Sequence, residues 1–174
     1  MAKTNLDEII DYPAQAIKQI ADNKECVALL LNKKISTITD DDVDEALDRY
    51  IYDYEYVDNT ITETSAYIWV EAEVSRGLNK QINNMKLYVT VACHKSFMKM
   101  SSGIIAGITG NRRDNLVRFI DKVLNGNDLF GIGNLKLDTV KTISSSNSHF
   151  TIRELQYSVS DFNKRENYDE ITIR

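Results

Sequence analysis

The sequence predicts an α+β protein in which a mostly antiparallel sheet of about four strands packs against helices, including N-terminal helices. Three observations support this fold class. Apolar residues recur every three or four positions over 4–23 and again after 111, which is the spacing of helices. Apolar and more polar residues alternate between 66 and 94, which is the spacing of strands. Two further strand-like runs follow before the C-terminus.

The composition is that of an ordinary globular domain. The 174 residues are 43% hydrophobic and 27% charged, and one proline and seven glycines leave no linker-like segment. We therefore expect one domain over residues 1–162 and a charged tail over 163–174. No apolar run approaches the ~20 residues of a membrane span, and the N-terminus shows no secretion signal. The expected protein is soluble, cytosolic and without a membrane partner.

Charge and cysteine content exclude several kinds of site. A net charge of −5 argues against a general DNA-binding module, because non-specific DNA affinity comes from clustered Lys and Arg. Cys26 and Cys93 are far apart and show no CxxC spacing, which predicts reduced, buried thiols. We expect no metal and no cofactor.

The N-terminal third is predicted to be helical. A first helix is capped by Thr4 or Asn5, and Pro13 restarts or kinks it. The run ECVALLLNKK fits a buried strand or a short helix, and its spacing favours the helix. TDDDVDEALDRY predicts an acidic helix capped by Thr39 or Asp40. A calcium loop fails there, because Glu45 occupies the glycine position and Ile51 the closing acidic position. The tyrosine-rich IYDYEYVDNT is predicted to be extended or a surface loop.

Two strands are predicted over 66–74 and 85–94, as antiparallel neighbours joined by the polar RGLNKQINN. Residues 96–110 form a long, irregular segment that lacks the GKS or GKT ending of a phosphate-binding loop. Asn111 then caps a helix that Gly126 ends. The final strands, LKLDTVKTI and FTIRELQYSV, both change the phase of their alternation, which predicts a bulge or a bent hairpin whose halves bury opposite faces.

No catalytic constellation is evident, so we expect the protein not to be an enzyme. The histidines are His94 and His149. Cys93 and His94 are adjacent on a strand and point to opposite faces, whereas His149 lies in a serine-rich turn. Glu71 and Glu73 share a face, but no neighbouring element is predicted to raise the pKa of either carboxyl, as paired-carboxylate hydrolysis requires.

Several residues are candidates for a subunit or partner interface. Arg112, Arg113, Arg118 and Lys122 form a basic cluster, which is either a solvated helix surface or a partner- or anion-binding face. Arg113 and Arg118 fall on different sides of the helix, so a tight phosphate clamp is not predicted. The apolar and aromatic candidates are Tyr54, Tyr56, Trp69, Phe97 and Met98.

The stretch LFGIGNLKLD has two glycines one residue apart, as in a nucleotide-binding loop. The dinucleotide fingerprint fails, because Lys136 occupies the third glycine position and the glycines lead from a helix into a strand. Gly126, Gly131 and Gly133 are therefore predicted to build a fold-defining turn.

The C-terminal half, over roughly residues 60–163, resembles neck and tail-completion proteins of long-tailed bacteriophages, with the tail terminator group nearest in kind. The resemblance rests on the order of VTVACHK, GNRRDNLVRFIDKVLNG, FGIGNLKL and RELQYSVSDFN. It implies an α+β subunit that assembles into a hexameric ring on the end of the tail tube. Residues 96–110 are longer than the matching connection in that family, which suggests contact with a neighbouring subunit or a sheath.

The same resemblance implies partners and a location. The ring would stop tube polymerisation and contact the tail tube protein, the head-completion proteins and, in a contractile tail, the sheath. DNA would pass through its lumen without sequence-specific binding. The location would be the virion neck, reached from the host cytoplasm during assembly. Two alternatives stay open: a head-closure (stopper) protein of the same neck, and a small cytosolic anion- or nucleotide-binding domain using Arg112, Arg113 and the nearby glycines.

Overall fold

The computed structural model describes residues 5–57, 60–76 and 82–162. These residues form four α-helices and one five-stranded, mostly antiparallel sheet, which confirms the predicted α+β class. The helices are α1 (Asn5–Asp22), α2 (Lys24–Leu31), α3 (Asp40–Arg49) and α4 (Arg112–Leu124). The strands are β1 (Ile51–Tyr52), β2 (Ala66–Arg76), β3 (Ile82–His94), β4 (Ile132–Ile143) and β5 (Phe150–Phe162). The cap proposed at Thr4 and the tail at 163–174 lie outside the described residues.

The strand order is β1-β2-β3-β5-β4. β2 and β3 pair antiparallel in one unbroken register, as predicted, and β3 pairs with β5 in the same way. The fifth strand was not predicted: Ile51–Tyr52, at the start of the tyrosine-rich segment, pairs parallel with Ile68 and Trp69 of β2. A two-residue strand is too short to produce a periodic signal.

The two faces of the sheet differ in what covers them. On the helical face, α1 contacts β2 while α4 contacts β3 and β5, and Ile68, Val89 and Leu155 are fully buried there. The other face, here called the open face, carries the side chains that alternate with these. Glu71 and Lys86 on the open face are exposed to solvent.

Three predictions about the N-terminal helices are resolved. α1 runs unbroken from Asn5 to Asp22 with Pro13 inside it, so the expected restart at the proline is wrong. ECVALLLNKK contributes a helix, capped by the Asn23 side chain. Thr39 caps α3 through a capping box, in which its hydroxyl accepts from the Asp42 N–H and the Asp42 carboxylate accepts from the Thr39 N–H.

The long segment after β3 is anchored to the rest of the fold. It contains a short 3-10 turn at Lys95–Phe97, and Ile104 is 3% exposed. The Ile35 N–H donates to the Ile104 carbonyl at 2.9 Å, which ties the segment to the turn after α2. This segment therefore closes the core of its own chain.

The final hairpin has the irregularity that the phase change predicted. The β4–β5 register shifts between Ile132 and Lys136 and again between Leu137 and Thr139. On β5, Ile152 is buried on the open face and Leu155 on the helical face. The two ends of β5 thus bury opposite faces, whereas on β4 the bulge keeps Leu137 and Val140 on the helical face. Among the described residues, no helix is long and apolar enough to cross a membrane.

Candidate assembly surfaces

Arg112 is not on the surface. Its side chain is 1% exposed, whereas the sequence predicts it in a basic cluster on the helix surface. The guanidinium donates to the carbonyls of Leu29 and Phe97 and, at 2.6 Å, to Asn32 Oδ1, while its Cζ lies 3.8 Å from the centre of the Phe97 ring. Arg112 therefore joins α2, the segment after β3 and α4, and is not available to a partner. Its place four residues before Leu116, on the apolar stripe of α4, was the sequence signal for burial.

Arg113 is held in a small ionic cluster at the start of α4. Its Nη2 lies 3.0 Å from Asp114 Oδ1, and Arg153 Nε of β5 lies 3.1 Å from the same oxygen, close enough for an ion pair but without hydrogen-bond geometry. Burial opposes ionisation of Asp114, but hydrogen bonds from Asn111 and Arg113 leave its pKa lowered. Two cations thus share one carboxylate. The sequence did not predict that Arg153 would reach it.

The other basic and apolar candidates near α4 differ in exposure. Arg118 is exposed, with its Cζ 5.8 Å from the Phe119 ring centre. Phe97 is half-buried beneath Arg112. Met98 is also half-buried: its carbonyl accepts from the Arg112 N–H, and its sulfur accepts from Thr151 Oγ1. Lys122, the fourth cation of the basic cluster, is exposed as well, with its Nζ 5.5 Å from the Phe119 ring centre. Arg118 and Lys122 are therefore the members of this group that are well placed for a partner.

The aromatic candidates gather at the β1 end of the open face. Tyr56 stacks on Tyr52 with ring centres 4.0 Å apart and lies 5.0 Å from Tyr67. Tyr54 is 54% exposed and touches Tyr52, whereas Trp69 is 5% exposed. Trp69 is therefore a core residue. The alternation along β2 predicts a polar face at this position and does not reveal that the face is covered here, as it is at the neighbouring Tyr67 by Tyr52 and Tyr56.

The thiols and imidazoles do not form a nucleophilic pair. Burial raises the pKa of the Cys93 thiol to about 12 and raises that of Cys26 as well, so both thiols are protonated at neutral pH. His94 and His149 stack with ring centres 5.7 Å apart, and His94 Nδ1 accepts from the Ser96 N–H. In the part of the chain that the structure describes, no three His, Cys, Asp or Glu side chains are grouped to hold a metal ion.

The glycine-rich stretch is a turn between α4 and β4. Gly131 has φ +57°, its N–H donates to Tyr12 Oη at 3.0 Å, and a Cβ there would lie 2.4 Å from the Ser160 carbonyl oxygen. Gly133 also has a positive φ but has open space around it. The Gly126 N–H donates to the Leu135 carbonyl at 2.8 Å, which fastens the end of α4 to β4.

The most exposed element of the sheet is β4, where the sequence pattern predicts no interface. Most of its 12 residues are exposed, and Val140 is 39% exposed despite being apolar. Lys141 of β4 forms an ion pair with Glu154 at 2.9 Å. Edge strands with exposed backbone groups are common sites of strand addition.

A family model described as YomW matches residues 22–159, which is most of the chain. The name is of the kind carried by SPbeta-type prophage gene products, which is consistent with a phage origin. A search of curated proteins found no match.

Proposed function

Because the chain belongs to the YomW family, we propose that it is a structural protein of a phage neck, and specifically the tail terminator. In this role, copies of the chain form a ring, as a hexamer, on the end of the tail tube. The ring stops tube polymerisation and joins the tail to the head-completion proteins. The protein is not an enzyme in this proposal.

The observation that carries the proposal is the open strand β4 at one side of the sheet. A self-contained enzyme of this size gains little from a 12-residue edge strand that is mostly exposed, because such edges promote unwanted pairing. A subunit of an assembly uses the same edge as a contact surface. The family name supports a phage origin, and the resemblance of the C-terminal half supports a part in tail assembly.

The chemistry of the described residues is compatible with a structural role. Both thiols are protonated at neutral pH. The carboxylates Glu71 and Glu73 lie on the open face and are exposed, and no element within 5–57, 60–76 and 82–162 covers them. Nothing at these positions activates a nucleophile or a general acid.

The alternative of an anion-binding domain is weakened by the placement of its residues. Arg112 is committed to two carbonyls and an amide inside the fold. Gly131 and Gly133 follow the C-terminus of α4, whereas Arg112 and Arg113 begin it. A helix of 13 residues separates the two groups by roughly 20 Å, at about 1.5 Å per residue. They therefore cannot contact one small anion.

In this proposal the partners are other copies of the chain, the tail tube protein, the head-completion proteins and, in a contractile tail, the sheath. DNA passes through the ring without sequence-specific contacts. The protein works in the neck of the virion, at the head-proximal end of the tail, and assembles there from the host cytoplasm.

The proposal is tested by removing the protein from an assembling phage. With the gene interrupted by a stop codon, we expect tail tubes of uncontrolled length and no infectious particles in electron micrographs. Supplying the native chain in trans should restore tails of one length. Tails of normal length joined to heads in the absence of the chain would overturn the assignment.

The head-closure alternative predicts a different defect in the same lysate. A missing stopper leaves tails of normal, uniform length that do not join to heads, because tube polymerisation is controlled by another protein. Affinity-labelled chain on isolated tails locates the ring directly. Label at the head-proximal tip of free tails supports the terminator, whereas label on free heads supports the stopper.

A further inference from the structure

The sheet has an accessible edge on each of its two sides, and the two edges complement each other. On one side, β1 covers β2 only at Ile68 and Trp69. Beyond that point no strand among the described residues pairs with this side of β2. On the other side, β4 is the last of the strands that the structure describes.

Along the outer edge of β2, the N–H and C=O groups of every second residue point away from β3. The Ile68 N–H donates to the Tyr50 carbonyl at 2.8 Å, so the backbone of Ile68 points away from β3. Backbone groups alternate sides along a strand, and the β2–β3 register is regular. The N–H and C=O groups of Ala72 and Val74 therefore point to the same outer edge, beyond the end of β1.

The β4 edge is partly covered and partly free. The Leu135 N–H donates to the Asn127 carbonyl at 2.7 Å, and the Leu137 N–H donates to Asn125 Oδ1, so the segment after α4 covers this part of the edge. The register shift between Leu137 and Thr139 inserts one extra residue, so from Thr139 onwards even-numbered rather than odd-numbered residues direct their backbone groups away from β5. After it, Val140 and Thr142 direct their backbone groups outwards.

We propose that β4 of one copy pairs antiparallel with the free part of β2 in the next copy, with Val140 opposite Val74, Lys141 opposite Glu73, and Thr142 opposite Ala72. This register places outward-pointing backbone groups opposite one another. It also keeps the incoming strand clear of β1, which occupies β2 as far as Trp69. The inference rests on the proposed function only in requiring that the chain assemble with itself.

The side chains at this junction match on both faces. On the helical face, the exposed Val140 meets the half-buried Val74, so apolar surface is removed from water. On the open face, Lys141 meets Glu73, and opposite charges directly across strands are stabilising. The Tyr88 hydroxyl donates to Glu73 Oε2 at 2.7 Å, which holds the carboxylate in place for the lysine.

The junction also has the geometry of a closing assembly. Within one sheet, Val140 is level with Leu155, Val89 and Val70. Pairing Val140 with Val74 shifts the next copy by four residues along the strands, about 14 Å at ~3.4 Å per residue. Such a stagger is what a sheet needs to close on itself with tilted strands. The contact uses two different surfaces, so repeated copies generate a ring when the rotation closes.

Disulfide trapping tests the register. In Val140→Cys/Val74→Cys protein, we expect mild oxidation to give covalent dimers and larger species on non-reducing gels, because directly paired residues meet the Cα separation of a disulfide. Cys26 and Cys93 are buried and do not compete. Thr139→Cys/Val74→Cys is the matched control, since its two side chains point to opposite faces.

The trapping result is decisive in both directions. Absence of covalent oligomers in the Val140/Val74 pair at millimolar chain overturns the proposal. Equal trapping in the Thr139/Val74 control, or stronger trapping in Val140→Cys/Ala72→Cys protein, overturns the register.

Charge reversal tests the same contact without cysteines. Glu73→Lys and Lys141→Glu should each raise the concentration needed for assembly about tenfold, and Lys141→Glu also breaks the ion pair with Glu154 of its own chain. The double variant, which restores the contact between copies but not the Glu154 pair, should return to within about threefold of the native chain. Lys136→Glu is the control, because the adjacent Leu135 and Leu137 edge is covered within the chain. No rescue in the double variant would contradict the Lys141–Glu73 contact.

Failure of this inference is distinguishable from failure of the proposed function. Rings that form normally in virions carrying Thr142→Pro, which removes an outward-pointing N–H of β4, would overturn the edge pairing and leave the terminator assignment intact. If the Val140→Cys/Val74→Cys chain is trapped as covalent oligomers but the protein is absent from tails, the terminator assignment is overturned and the edge pairing stands.

Discussion

The start of α4 and the outer edge of β4 use polar groups in opposite ways. At the start of α4, the Arg112 guanidinium is buried and donates to three acceptors from two other segments. At β4, Val140 and its neighbours leave an apolar side chain and backbone groups in solvent. At the start of α4 the polar groups find their hydrogen-bond partners within one chain, whereas the outward backbone groups of β4 remain available to a second chain. Variants in the first should therefore reduce folding stability, and variants in the second should change assembly.

The largest expected effect on folding comes from Arg112. Arg112→Met keeps much of the aliphatic volume but leaves the Leu29 and Phe97 carbonyls without this donor, so we expect a loss of about 3 kcal/mol in the free energy of unfolding. Urea denaturation followed by circular dichroism measures it. Arg118→Met on the same helix is the control, because Arg118 is exposed and should change stability by less than about 0.5 kcal/mol. Equal losses in the two variants would show that the buried hydrogen bonds of Arg112 contribute little to the free energy of unfolding.

The next effect is at the turn before β4. Gly131→Ala combines a positive φ with a Cβ placed 2.4 Å from the Ser160 carbonyl oxygen, so we expect a loss of about 2 kcal/mol. Gly133→Ala has the positive φ but open space, and should cost about 1 kcal/mol. Thermal unfolding of both variants separates backbone strain from steric overlap. Similar melting temperatures for the two would argue against the close approach.

The capping box of α3 should give a smaller effect. Thr39→Ala removes the side-chain acceptor for the Asp42 N–H and should cost about 1 kcal/mol. Thr37→Ala, in the preceding 3-10 turn, is an exposed control with a much smaller expected loss. Urea midpoints at neutral pH compare the two.

The same box gives stability a pH dependence at acidic pH. Hydrogen bonds from Lys33 and from the Thr39 N–H lower the pKa of Asp42 to about 2. Because this lies below the ordinary aspartate value of about 4, the contribution is fully present above pH 4 and is lost as the pH falls towards 2. Asp42→Asn should flatten this part of the curve of unfolding free energy against pH. An unchanged slope would exclude Asp42 as its source.

Much of the fold could be predicted from local patterns. The spacing of apolar residues located α4, β2 and β3, and the phase change located the irregular final hairpin. β1 was missed because two residues carry no period. Trp69 was misplaced because alternation reports one buried face and cannot show that a distant segment covers the other. Arg112 was predicted to be exposed because it is charged, although its position on the apolar stripe of α4 indicated burial. The carbonyls that accept its hydrogen bonds lie on segments distant in sequence, which a local pattern cannot show.

The candidate junction was beyond the reach of the sequence for a similar reason. Lys141 and Glu73 are unremarkable strand charges until the strand order places them near opposite edges of one sheet. Their complementarity depends on a bulge that changes which backbone groups face outwards. A pattern of residue types predicts that a bulge exists, but only the register shows its consequence for the edge.

The smallest expected effect on folding is at Thr142, and it sharpens the contrast with Arg112 most directly. Thr142 is exposed and its N–H points away from β5, so Thr142→Pro keeps the β4–β5 ladder and should cost less than about 1 kcal/mol. The same change removes a donor from the proposed junction and should abolish trapping between Val140→Cys and Val74→Cys. Lys141→Pro is the matched control. The native Lys141 N–H points towards β5, so its removal should lower the free energy of unfolding by about 3 kcal/mol. If Thr142→Pro destabilised the monomer as much as Lys141→Pro, the outward direction of Thr142, and with it the free edge, would be wrong.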